Sequence, residues 1–316
     1  MDFFVIQYAD DTIVIMPADT VQFIRMKDIL DTYAQSTGLH INYHKSVMIP
    51  INTSNQTATD FAGFFGCIVG SMPFTYLGLP LGTTKPTVYD LMPLVDRIER
   101  AMTAKFLMMS YSGRVTVINT LLTSIATFTM CALKVPPKIL EHIDKIRRHC
   151  LWNKKKEDGE HYNSLIARDK VCRPKNKGGM GVLNLKIQNE GLLLKHLHKF
   201  YNKLDTPWVS LVWQTYYTDK VPHSTDLCGS FWWRDICKLS PIYRGISKCT
   251  IGSWDTILFR KDPWKDVPAY ESYPRAFSFS LDEDVSARDF LAAGTLGANF
   301  SLPLSVQAIA ELRIAQ

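Results

Sequence analysis

The feature that most constrains this chain is a change of hydrophobic period near Pro86. From there Leu91, Leu94, Val95, Ile98, Met102 and Phe106 form one apolar helical stripe opposite Asp96, Arg97, Glu99 and Arg100. Before it, the apolar runs are short, β-branched and broken by turn residues. Phe4 to Tyr8 and Thr12 to Met16 flank Ala9, Asp10 and Asp11, a pattern that predicts a hairpin with both acids at its tip. Strands toward one end and helices thereafter make the fold class α+β.

Local signals refine this order. Asp19 is placed to cap a helix whose apolar positions are Phe23, Met26, Leu30 and Tyr33, and Gly38 follows where a left-handed residue ends a helix. Leu39 to Asn42 and Ser46 to Pro50 read as extended, Asp60 to Cys67 as a small helix, and Phe74 to Gly82 (FTYLGLPLG) as a strand with a tight turn. Past Pro86, helices are expected over Arg114 to Leu133, after Pro136-Pro137, and over Gly191 to Leu204; the third has Ile139, Ile143, Ile146 and Cys150 on one face and Lys145, Arg147 and Arg148 on another. The organisation expected is residues 1–85, then a helical 86–153, then a basic loop, helix and Trp-rich region over 154–316, with the charged run KKKEDGE (154–160) at the second boundary.

Val115 to Leu133 is 19 residues without a charge, long enough to span a bilayer, but Asn119, Ser124 and five threonines lower its hydropathy. It is read as a buried amphipathic helix, and no membrane partner is expected. Seven cysteines without a C-x-x-C pair, and no basic leader, fit reduced thiols in the nucleus or cytoplasm.

The net charge of +6 is uneven: residues 134–199 hold 16 Lys+Arg against 7 Asp+Glu. Such a block attracts phosphates, although a solvated lysine-rich surface has the same composition. KNKGGMG (175–181) lacks the spacing of a phosphate-binding loop and is read as a turn. His196 and His198, two apart on a helix, point to different faces and are not expected to share a metal; the C-terminal tryptophans are expected in cores.

Paired acids at a hairpin tip can hold Mg2+, which favours hard oxygen ligands, yet two aspartates in a turn are also ordinary turn chemistry. The surrounding stretches narrow the choice. QYADDT, GLHINYHKS (38–46), FTYLGLPLG (74–82), SYSGRVTVINTLLTSI (110–125), IDKIRRHCLW (143–152) and VCRPKNKGGMGVLNL (171–185) resemble, in order, the reverse transcriptases of plant LINE-type (non-LTR) retrotransposons. The resemblance extends more weakly through 252–264 and 302–312, and so covers essentially the whole chain.

What the resemblance implies can be placed on residues. Asp10 and Asp11 match the metal-binding pair of an RNA-directed DNA polymerase, with Mg2+ as cofactor and an RNA template and DNA primer as partners; Tyr8 matches the aromatic residue under the primer end. Lys45 matches a lysine that protonates the departing pyrophosphate, although a solvated loop lysine is an equal reading. Tyr76, Leu77 and Gly78 match the turn that grips the primer, and the fold expected for 1–85 is a partial palm. Helices after Pro86 match the thumb, so Arg114, Arg147, Arg148, Lys154, Lys155 and Lys156 are expected phosphate contacts. The family's fingers and the strand with the other catalytic aspartate precede the matched region. The expectation is therefore a chain inactive alone, with an exposed apolar hairpin edge and no stable protein partner. The alternative is a non-catalytic nucleic-acid-binding module acting through its basic helical middle.

Overall fold

The computed structural model describes residues 4–103, 106, 108–152, 166–217, 228–249, 254–263, 267–294 and 296–315. The chain divides into two compact units, Met1–Pro86 and Thr87–Gln316.

The first unit is α+β. Strands β1 (Phe4–Tyr8) and β2 (Asp11–Ile15) form an antiparallel hairpin with Phe4 opposite Ile15 and Tyr8 opposite Asp11. Helix α1 (Thr20–Thr37) starts where expected: the Asp19 carboxylate accepts from the Val21 amide at 2.9 Å, and Gly38 closes the helix with φ 74°. Its buried positions are Phe23, Met26 and Ala34, whereas Tyr33 is exposed. Ala34 returns to the side of the helix that carries Phe23, and Tyr33 to the side that carries Met26, so the period alone does not separate the two. Strand β3 (Val47–Met48) and β4 (Ile68–Val69) pair in parallel across α2 (Asn55–Phe65). Residues 39–42 do not form the expected strand. Phe23 stacks on Phe61 at 4.0 Å and meets Phe65 edge-on, so a small aromatic contact joins α1 to α2. Strands β5 (Phe74–Tyr76) and β6 (Leu79–Leu81) make a second hairpin. The six strands form three separate two-stranded sheets among the described residues.

The second unit is helical. Helix α3 (Met92–Ala101) buries Leu94, Val95 and Ile98 and stops before Met102, which with Phe106 packs only partly on the core. One helical run follows, α4 (Tyr111–Val117), a π turn (Ile118–Leu122) and α5 (Thr123–Ala132). By length and composition this run could cross a membrane. Its face of Ile118, Leu122, Ala126 and Met130 is fully buried in the same core as Ile98, Ile139 and Ile143. Helix α6 (Pro137–Trp152) closes that core, and the expected apolar positions Ile139, Ile143, Ile146 and Cys150 are buried.

After the short α7 (Arg168–Val171), α8 (Leu185–Tyr201) joins two cores. It gives Leu185 to the first, and Leu193, Leu197 and Phe200 to an aromatic one completed by Trp233 of α10 (Phe231–Cys237) and residues of α9 (Pro207–Tyr216). Phe200 stacks on Trp213 at 4.5 Å, and Trp233 donates to the Tyr217 hydroxyl at 2.8 Å. These tryptophans are core residues with satisfied indoles. A third cluster, Phe259, Phe277, Phe290 and Phe300 with Ala276 and Ala287, gathers the short helices near the C-terminus. The expected boundary at 153/154 lies outside the described residues.

Candidate functional site

The β1–β2 register leaves Ala9 and Asp10 as a two-residue turn, with Asp11 directly across from Tyr8. Ala9 sits at φ 53°, a left-handed conformation that disfavours a side chain. The turn is closed further by the Gln7 side-chain amide donating to the Ala9 carbonyl at 3.3 Å. Asp10, Asp11 and Tyr8 are all exposed. The hairpin therefore presents two hard oxygen donors and one aromatic ring on a single tip. Such a pair can take a Mg2+ ion that keeps most of its waters. Among the described residues no cluster of three or more His, Cys, Asp or Glu side chains is placed to hold a metal.

The strands behind this tip are unusual. Phe4 is 74% exposed, and Val5, Ile6, Val14 and Ile15 are exposed as well, with only Ile13 half-buried. An apolar two-stranded hairpin with both faces in water is marginal by itself.

In the β5–β6 hairpin, Tyr76 pairs with Leu79, so Leu77 and Gly78 form the turn, at φ 50° and 78°. Two positive φ values are the type I′ pattern, which suits the right-handed strand twist and selects glycine. Glycine is needed here for its backbone conformation and not for a close approach within the chain: a Cβ on Gly78 would meet nothing within 4 Å. Leu77 occupies a position that costs a branched side chain energy. Lys45 ends a short 3₁₀ turn (Tyr43–Lys45) capped by the Asn42 side chain, and it is exposed.

Two of the arginines expected to contact phosphate are interior. Arg114 is 5% exposed; it donates to the carbonyls of Met109 and Leu151, both at 3.1 Å, and lies over the Tyr111 ring. Arg147 is 3% exposed; it bonds Asp144 at 2.8 Å and the Leu183 carbonyl at 2.7 Å. Both are corrections to the expected exposed set. A guanidinium with its donors turned toward buried acceptors does not reach a phosphate in this conformation. Burial depresses the Arg147 pKa and raises that of Asp144, against the attraction between them; Arg168 also pairs with Asp144. Arg148, one residue on, is exposed and lies near the same carboxylate. Lys154, Lys155 and Lys156 lie outside the described residues.

Composition and spacing did not disclose the polar clamps that hold this region. Asn119 was visible only as a polar interruption of an apolar run. Its amide donates to the Gly181 carbonyl at 2.8 Å and accepts from the Leu183 amide at 3.1 Å. Asn189, buried on α8, donates to the Met130 and Leu133 carbonyls and accepts from the Val135 amide, so it caps the end of α5. An asparagine within an apolar helical stripe is the signal for such a clamp.

No family model matches the chain. A protein of Arabidopsis thaliana named as a ribonuclease H protein is 28% identical over 116 residues, which are 37% of this chain and 18% of that protein. The matched segment thus spans less than a fifth of the relative's length.

Proposed function

We propose that this chain is part of an RNA-directed DNA polymerase of a plant non-LTR retrotransposon, with Asp10 and Asp11 as metal ligands, Tyr8 beneath the primer end and Tyr76–Gly78 along the primer strand. The observation that carries the reading is the first hairpin, which presents both carboxylates and Tyr8 at one exposed tip. The order of the sequence motifs and a plant relative named for a nucleic-acid-processing enzyme support it. Mg2+ would supply charge neutralisation at the attacking and leaving oxygens. This chain's residues would orient the ion through Asp10 and Asp11, and Lys45 would deliver a proton to the leaving group.

A two-metal centre needs a further carboxylate, and the described residues place none beside the pair. The purified chain is therefore expected to bind divalent metal at the hairpin without extending a primer. In an amide NMR titration, Mn2+ should broaden residues 8–12 first, and Asp10→Asn should remove the effect. Uniform broadening, or none at millimolar Mn2+, would count against the reading. Incorporation of labelled nucleotide on a primed RNA template, lost in Asp10→Asn, would show that the pair is more complete than proposed.

A second reading, a nucleic-acid-binding module without catalysis, is favoured by one observation: four exposed cations of the second unit, Lys170, Arg173, Lys175 and Lys177, share one loop whose backbone is hydrogen-bonded to itself.

A further inference from the structure

In the segment from Arg168 to Gly181, Val171 is buried in the first core with Cys172 and Met180 against it, while residues 173–178 are exposed; the exposed part has its backbone closely determined all the same. The amides of Lys177 and Gly179 donate to Pro174, that of Gly178 to Lys175, those of Met180 and Val182 to Val171, and that of Gly181 to Arg173. Gly178 and Gly181 have φ 74° and 71°, and a Cβ on Gly179 would fall 2.0 Å from the Arg173 carbonyl oxygen, so three glycines permit a fold that other residues would obstruct. Asn119 holds the end of the segment at Gly181 and Leu183, Arg147 holds Leu183, and Arg168 is paired to Asp144.

On this frame stand Lys170, Arg173, Lys175 and Lys177, all exposed, with Asp169 as the one acid between Ile166 and Ile187. Asp169 reaches Arg173 only at 3.8 Å, a loose surface pair. A fixed concentration of like charge is unfavourable by itself and matches a polyanion.

Two details select the kind of polyanion. The loop's amides from Lys177 to Val182 are already used internally, so it cannot cradle a mononucleotide's phosphates as a glycine-rich nest does. Recognition falls to side chains, which read backbone phosphates without reading sequence. Residues 166–187 also contain no aromatic side chain on which an unpaired base could stack. We propose that the Arg168–Gly181 loop, together with the exposed Arg148 of α6, is a contact surface for the phosphate backbone of duplex nucleic acid. The proposal rests on the nucleic-acid reading above and assigns it a location.

The test is fluorescence anisotropy of the full chain with a short RNA–DNA duplex across a series of KCl concentrations. Two variants of equal charge are compared: Arg173→Gln/Lys175→Gln/Lys177→Gln in the loop, and Lys195→Gln/Arg234→Gln/Lys238→Gln on α8, on α10 and just past its end. The loop variant should bind roughly tenfold or more weakly at low salt, and the slope of log K against log salt should shrink by about 3, one per lost phosphate contact. The second variant should change both far less, each should melt like the parent, and a single strand of equal length should bind more weakly than the duplex. If the parent binds duplex and the two variants fall equally, or the loop variant is unchanged, the loop assignment is overturned while nucleic-acid binding stands. If the parent binds no duplex, or binds phosphatidylserine vesicles instead, the nucleic-acid reading fails and the proposal with it.

Discussion

Asn119 and Gly181, 62 residues apart, are joined as two strands would be: one side-chain amide satisfies the carbonyl of Gly181 and, through its oxygen, the amide of Leu183. The contact ties the helical run 111–132 to the basic loop. Replacing Asn119 by leucine leaves both backbone groups without this partner and should lower stability by about 1 to 2 kcal/mol. Urea denaturation measures that loss. Amide exchange should quicken at Gly181 and Leu183 first; uniform quickening would mean the clamp is not local.

Adjacent arginines on α6 should separate stability from binding. Arg147→Met removes a buried partner of Asp144 and should cost about 3 kcal/mol, at the lower end for a broken buried pair because Arg168 remains. Arg148→Gln touches an exposed group and should leave the melting temperature within a degree or so while weakening duplex binding. The reverse pattern would mean that Arg147 turns outward in solution.

His196 makes stability depend on pH. Its Nε2 lies 2.9 Å from the Cys131 carbonyl, its ring is edge-on to Trp232 at 5.1 Å and to Trp208 at 5.9 Å, and burial followed by Lys195 and Lys199 depresses its pKa. The unfolded chain therefore takes up a proton more readily than the folded one. This contribution is complete above the ordinary histidine pKa of about 6.5 and is lost as pH falls through that value toward the folded one, at no more than about 1.4 kcal/mol per pH unit. Melting at pH 7.5 and 5.5 should show the drop, and His196→Gln should flatten it. An equal drop in the variant would assign the effect to other groups.

The Leu77–Gly78 turn should respond to both residues in opposite directions. Leu77→Asn puts a residue tolerant of left-handed backbone at φ 50° and should stabilise the first unit by up to about 1 kcal/mol. Gly78→Ala, at φ 78°, should cost about 1 kcal/mol although nothing crowds the added methyl. If Gly78→Ala is neutral, the turn does not hold this geometry in solution. A loss of primed-duplex binding in Leu77→Asn, without loss of stability, would support a primer contact.

Much of the fold was legible because its signals are local. Asp19 and Gly38 delimit α1 through bonds that span two to four residues. The stripe from Leu91 to Ile98 is buried because a 3.6-residue period puts those side chains on one face. The hairpin at Asp10 and Asp11 follows from two β-rich runs with three residues between them, although the turn itself is Ala9 and Asp10 and Asp11 already belongs to β2. The same local view misplaced Arg147. Its spacing from Ile143 and Cys150 puts it close to the buried face, but its charge argues for solvent, and only Asp144 together with the Leu183 carbonyl makes burial tolerable.

What the sequence determined by itself, then, is the α+β class, the change to helices near Pro86, the hairpin that carries Asp10, Asp11 and Tyr8, and the turn at Leu77–Gly78. Each depends on residues a few positions apart. The tertiary structure decided which cations are free to meet a partner. Arg114 and Arg147 are held inside by carbonyls and a carboxylate, whereas Lys170, Arg173, Lys175 and Lys177 are held outward on a loop clamped by Asn119. Met109 and Asp144 lie close in sequence to Arg114 and Arg147, but the burial of each charge also needs an acceptor that chain folding brings from 36 or more residues away, Leu151 to Arg114 and Leu183 to Arg147, and no local pattern encodes that encounter.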